Sequence, residues 1–164
     1  MSKEKNLKEK ILEYVYIISK QPMLLRDLLI ANRQCKEGMH VDPAKLGFRL
    51  RLSRAYFVYM IMVLIVLVPV SLITHKSIAK ADSHLSIIGA VIITAVIFIG
   101  FNFFRAWMRD SVTKELIKRS WKLHFPFFSY EEYSDKIEEI FEKSLKDEIS
   151  KRDLEKYILD NISK

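Results

Sequence analysis

The chain has 164 residues, of which half are hydrophobic and 29% are charged, with a formal net charge of +7 and one cysteine. The lone Cys35 excludes an internal disulfide and leaves no second thiol for a zinc site, which fits a reducing compartment. No Gly-rich phosphate loop, G-x-S-x-G or H-E-x-x-H occurs, so the nucleotide-binding and hydrolytic classes those motifs mark have no support.

Residues 1–41 read as a helical N-terminal region. Leu7, Ile11, Val15 and Ile18 recur at helical spacing, Pro22 breaks the run at the first turn of a second helix, and Leu24, Leu25, Leu28 and Leu29 start a second stripe. The polar segment from Asn32 to His40, with Gly38, reads as a linker. The charged run after Met1 and the late onset of apolar sequence argue against a cleavable signal peptide.

Asp42 followed by Pro43 is a helix-start signal, which predicts one helix from Pro43 into the apolar segment that follows. The alternation Phe48, Arg49, Leu50, Arg51, Leu52 is also strand-like, but continuity with that segment favours helix.

Residues 55–74 and 85–104 are twenty residues each without Asp, Glu, Lys or Arg. A hydrocarbon core roughly 30 Å thick needs about 20 apolar residues at a 1.5 Å rise, so each stretch is long enough to cross once. With the connecting segment 75–84, residues 42–104 read as a transmembrane helical hairpin, and the fold class expected is an all-α, two-span membrane protein with helical cytoplasmic extensions. Pro69 predicts a bend in the first span. Gly89, Ala90, Thr94, Ala95 and Gly100 are small residues at which a neighbouring helix can approach closely.

Charge sets the expected topology. Residues 1–54 carry twelve Lys/Arg against six acids, 75–84 two against one, 105–128 six against two, and 129–164 seven against eleven. Basic residues flank the spans on the terminal sides, so both termini are expected in the cytoplasm and the protein in the cytoplasmic (inner) membrane. Arg49, Arg51, Arg54, Arg105, Arg109, Lys114 and Lys118 are the candidate contacts to anionic lipid headgroups, with Tyr56, Tyr59 and Trp107 as interfacial anchors. Nucleic acid is not expected as a partner, because the interleaved aromatics of a single-strand platform are scarce among these basic residues.

Residues 105–164 read as a helical C-terminal region. Nothing breaks the second long helix before Pro126, and Met108, Val112, Leu116, Ile117 and Trp121 continue its stripe. Ser129 and Glu132 have capping-box spacing. The helix they introduce sets Tyr133, Ile137, Ile140, Phe141 and Leu145 against Glu131, Glu132, Asp135, Glu138, Glu139 and Glu142. That acidic face reads as solvated, as a docking surface for a basic partner, as a surface that folds back on the basic helix before it, or, least favoured because one helix spreads its carboxylates along its length, as a divalent-cation site. A last helix near Ser150 packs through Leu154, Tyr157, Ile158 and Ile162.

No constellation names a reaction, and neither catalytic residues, a cofactor nor a metal is expected. Arg119 and His124 have the R-x4-H spacing of HEPN-type ribonucleases, but one short pattern among nine arginines and four histidines arises by coincidence, and His124 reads as capping the long helix or facing solvent. His75 and His84 with Asp82 read as ordinary polar loop residues. The function expected is non-enzymatic: an anchor, scaffold or subunit of a membrane complex, with Phe127, Phe128, Tyr133, Ile137, Ile140 and Phe141 as candidate docking residues for itself or other subunits. The alternative is a homo-oligomeric pore or ion channel lined by Ser71, Thr94 or Asn102, an architecture similar to that of small two-span pore-forming effectors of bacteria.

Overall fold

A computed structural model describes residues 6–78 and 83–162, with the side chains of residues 75–86 left out. His75, Asp82 and His84 therefore lie outside the described side chains. Among the described residues, six helices and two short strands follow in the order α1 (Leu7–Val15), β1 (Tyr16–Ile18), α2 (Leu25–Lys36), β2 (Phe48–Leu50), α3 (Leu52–Ile78), α4 (Ser83–His124), α5 (Tyr130–Lys146) and α6 (Leu154–Ile162). Two of these helices, α3 and α4, are long and apolar enough to cross a membrane.

The chain divides into two compact units, one of Met1–Ile17 with Leu50–Arg109 and one of Ile18–Arg49 with Asp110–Lys164. The division falls within β1, within β2 and within α4.

In the first unit α1 packs on α3. Leu12 and Val15 of α1 are buried, whereas no residue in the most apolar window of α3 is. Such an apolar surface is stable only when lipid or protein removes it from water. The contacts of α3 with α4 are concentrated on aromatic rings. Tyr56 stacks on Phe101 at 3.9 Å between centroids, and the Tyr59 hydroxyl donates to the Ile97 carbonyl at 2.7 Å. Gly100 permits this approach: a Cβ there would stand 2.5 Å from the Tyr59 hydroxyl oxygen. Gly89, the other glycine of α4, has open space where its Cβ would be. Thr94 turns its hydroxyl back to Ala90 of its own helix at 2.8 Å. α3 runs unbroken through Pro69.

In the second unit the buried side chains of α4 (Val112, Leu116, Ile117, Trp121), α5 (Ile137, Ile140, Phe141) and α6 (Leu154, Ile158, Ile162) form a core with Leu28 and Leu29 of α2. Burying such side chains is worth about 1.5–3 kcal/mol each, which gives the helices their tertiary support.

Several local expectations are corrected. The chain is not all helical, since β1 and β2 form a two-stranded sheet. The helix expected from Pro43 does not form. Asp42 does cap, accepting from the Ala44 amide at 2.9 Å, but Gly47 at φ +67 ends the turn and the chain enters β2. Gly47 accepts from Ser19 at 2.7 Å, and its missing Cβ would meet the Ser19 Cβ at 3.0 Å. The alternation of residues 48–50 is thus that of a strand, with Phe48 buried and Arg49 exposed. Likewise α1 stops at Val15 and Ile18 lies in β1, while Pro22 precedes α2 without entering it.

The linker expected from Asn32 is helical as far as Lys36, and Gly38 at φ +69 follows its end. Ser129 occupies the N-cap position of α5, but its hydroxyl lies 3.5 Å from the Glu132 carboxylate and makes no cap bond to the backbone. Before α6, Ser150 accepts from the Asp153 amide at 3.3 Å and donates to its carboxylate at 2.7 Å, an introduction four residues ahead of the first helical residue.

Candidate functional site

Four carboxylates of the acidic α5 face, Glu131, Asp135, Glu138 and Glu142, are paired with cations of the chain itself, and all but Glu138 stay open to solvent. Lys36 at the end of α2 reaches Asp135 at 2.5 Å and Glu138 at 2.8 Å, and Arg33 one turn earlier reaches Glu142 at 3.3 Å. Residues 33 and 36 share a face of α2, so one helical edge meets the 135, 138, 142 edge of the other. From α4, Lys118 reaches Glu131 at 2.7 Å and lies 5.4 Å from the centre of the Tyr130 ring. The fold-back onto the basic helix therefore exists at Lys118, but α2 supplies the other three ion pairs.

Electrostatics follow this geometry. Burial works against the Lys36 ammonium, yet its hydrogen bonds to Asp135 and Glu138 outweigh it and hold its pKa above the ordinary lysine value. The hydrogen bond from Lys118 holds the Glu131 carboxyl below the usual carboxylate range, and the same bond raises Lys118. Burial pushes the Cys35 thiol up, which favours the unreactive protonated form.

Beneath the ion pairs lies a polar contact that sequence reasoning missed. Asn32, 1% exposed, accepts from the Tyr130 hydroxyl at 2.8 Å. The available signal was a polar residue one turn after Leu28 on the apolar edge of α2, a position that requires a buried partner. Burial raises the Tyr130 phenol pKa, so the hydroxyl keeps the proton this bond needs.

The turn between α4 and α5 is ordered by Trp121, whose indole N–H donates to the Phe128 carbonyl at 3.0 Å. Trp121 and Phe125 are each 1% exposed, and Tyr130 meets Trp121 edge-on at 5.2 Å. Phe128 packs edge-on against Tyr133 at 5.0 Å. Phe127 between them is 92% exposed. Of the six candidate docking residues, Ile137, Ile140 and Phe141 are consumed by the chain's own core, Phe128 and Tyr133 are half-buried, and Phe127 alone is exposed. His124 is half-buried, and its Nε2 donates to the Met23 carbonyl at 2.7 Å, which ties the end of α4 to the segment before α2. Arg119 is exposed.

The basic candidates fall in both units. In the first, Arg54 sits over the Tyr14 ring at 4.7 Å and donates to the Tyr14 carbonyl at 3.3 Å, Lys8 lies 6.0 Å from the centre of the Trp107 ring, and Arg105 is exposed. Arg51 donates its amide to the Val15 carbonyl at 2.9 Å. Arg109 is half-buried, and Arg49 and Lys114 are exposed. Trp107 is 54% exposed, whereas Tyr59 is turned inward onto α4. Ser71, Thr94 and Asn102 are exposed on α3 and α4. Among the described residues no group of three His, Cys, Asp or Glu side chains is placed to hold a metal ion.

No protein family, curated protein or solved structure matches this chain.

Proposed function

We propose that the protein is a non-enzymatic, inner-membrane assembly subunit. On this reading α3 and α4 cross the bilayer as a hairpin with both termini cytoplasmic, and the unit of Ile18–Arg49 with Asp110–Lys164 is a helical module that recruits other subunits or further copies of the chain. The observation that carries the reading is α4 itself. One unbroken helix has exposed apolar residues such as Val91, Val96 and Phe98 in its first half and the buried Val112, Ile117 and Trp121 in its second. A helix with that division of surfaces suits a lipid span that continues into a packed module. The hairpin arrangement is supported by the contact register, since Tyr56 meets Phe101 while Tyr59, one turn on, meets Ile97.

The test is mild detergent extraction, mass measurement and identification of co-purifying proteins. A complex containing other subunits or several copies supports the reading, and a lone monomer contradicts it.

Exposed Asn102, a polar side chain within the apolar run of α4, favours a second reading, a homo-oligomeric pore. Ion flux through liposomes that is lost in Asn102→Leu would favour the pore over the subunit.

A further inference from the structure

We infer that α1 is an in-plane membrane helix, seated at the bilayer surface beside α3 with one apolar edge among anionic phospholipid headgroups. The inference rests on the reading that α3 and α4 span the membrane. At about 100° per residue, Leu7, Ile11 and Tyr14 fall within an arc of about 60°, and Leu12 and Val15 lie about 80–140° round from Leu7. The second pair is buried, at 3% and 0% exposure, and fastens α1 to its unit. The first edge is open at its two ends, with Leu7 71% and Tyr14 43% exposed and Ile11 between them half-buried. One helix thus carries two apolar stripes, of which the protein buries one fully and the other only in part.

Two features of the same unit identify lipid as the occupant. α1 packs on α3, whose Leu52, Tyr56 and Phe57 are exposed at 49%, 41% and 59%, on the helix that the spanning reading gives to lipid. The flanking charge is also that of a membrane-surface helix. Lys8 and Lys10 lie on either side of the Leu7 edge, while Glu9 and Glu13 lie about 160° and about 120° from Leu7. Lys8 reaches toward Trp107 and Arg54 caps Tyr14, so cations and amphipathic rings are interleaved at one level. That combination recognises a phosphate-bearing interface over an apolar interior.

The experiment uses the full chain in Cys35→Ser background, with one fluorophore attached at Leu7→Cys, Glu13→Cys or Ile65→Cys. Each protein is reconstituted into phosphatidylcholine vesicles with and without phosphatidylglycerol, and quenched by shallow or deep spin-labelled lipids or by aqueous iodide. The expected result is deep-lipid quenching at Ile65, shallow-lipid quenching at Leu7 that strengthens with phosphatidylglycerol, and iodide quenching at Glu13. If Ile65 is quenched from the bilayer while Leu7 and Glu13 respond equally to iodide, the in-plane helix is wrong and the spans stand. If Ile65 itself is open to iodide, the spanning reading fails and the inference with it. Equal lipid quenching at Leu7 in both vesicle types overturns the anionic-headgroup assignment.

Discussion

The Tyr130 hydroxyl donates to the Oδ1 of Asn32 across 98 positions of sequence, and it does so from the first residue of α5 into the buried edge of α2. This bond joins two helices whose outer edges are already joined by Lys36 and Arg33 to the α5 carboxylates.

Tyr130→Phe removes the donor and leaves a buried amide oxygen without its partner. The expected cost is about 1–3 kcal/mol, the penalty for an unsatisfied buried group. Asn32→Leu in the same background removes the orphan, so a double-mutant cycle on thermal unfolding should show the two substitutions costing less together than the sum of each alone.

The pH dependence follows from the same residue. Burial favours the neutral phenol in the folded state, so its folded pKa lies above the unfolded value near 10.0. Its contribution is complete below that value and is lost as pH rises through the raised one. Lys36 and Lys118 are raised too and act in the same direction above their ordinary value of 10.5. Unfolding midpoints measured upward from neutral pH should hold steady, fall above about pH 10, and fall less steeply in Tyr130→Phe.

Lys36 is the centre of the ion pairs that cover α5. Lys36→Met should destabilise by about 1 kcal/mol, discounted because Asp135 is largely exposed. In 1 M salt, where the screening length is about 3 Å, the difference between wild type and variant should shrink markedly in denaturant titrations.

Gly100 is required by the Tyr59 hydroxyl. Gly100→Ala places a methyl 2.5 Å from that oxygen and should displace the ring from Ile97 and Phe101, at a cost of about 1–3 kcal/mol. Tyr59→Phe removes the clashing atom. The double variant should therefore be more stable than Gly100→Ala alone in detergent-titration unfolding, an order that a simple loss of two contacts would reverse.

Glu148 takes a left-handed backbone at φ 51 just after α5, where the Ile149 amide closes on the Ser144 carbonyl at 3.0 Å. A side chain there costs about 1 kcal/mol relative to glycine. Glu148→Gly should raise the unfolding midpoint, and Glu148→Val should lower it.

The sequence made some of this legible and hid the rest for a physical reason. The apolar lengths of α3 and α4 and the two-faced pattern of α5 are properties of single segments, readable without knowing what lies opposite. What covers those faces is a long-range property. Nothing near Glu138 announces Lys36, and nothing near Tyr130 announces Asn32. The residues 48–50 show the limit at shorter range: their alternation suited strand or a helix stub, and the decision lay with Gly47 and with Ser19, which holds it from another part of the chain. The aromatic α5 face was visible as apolar but not as already occupied, so Ile137, Ile140 and Phe141 read as docking residues while the open one, Phe127, stood among them unmarked.

Phe127 separates assembly from folding. Phe127→Ser should leave the unfolding midpoint unchanged, because the ring is exposed, yet reduce recovery of co-purifying subunits. Phe141→Ala should instead cost about 3–5 kcal/mol as a core truncation.

The most direct test of the account is the topology of the chain. In Cys35→Ser background, single cysteines at Lys80→Cys, between the spans, and at Glu155→Cys, in α6, are exposed in intact spheroplasts to a membrane-impermeant maleimide. The account requires labelling at position 80 and protection at position 155 until the membrane is permeabilised. Labelling at position 155 in sealed spheroplasts, or protection at both positions, would contradict a hairpin with cytoplasmic termini.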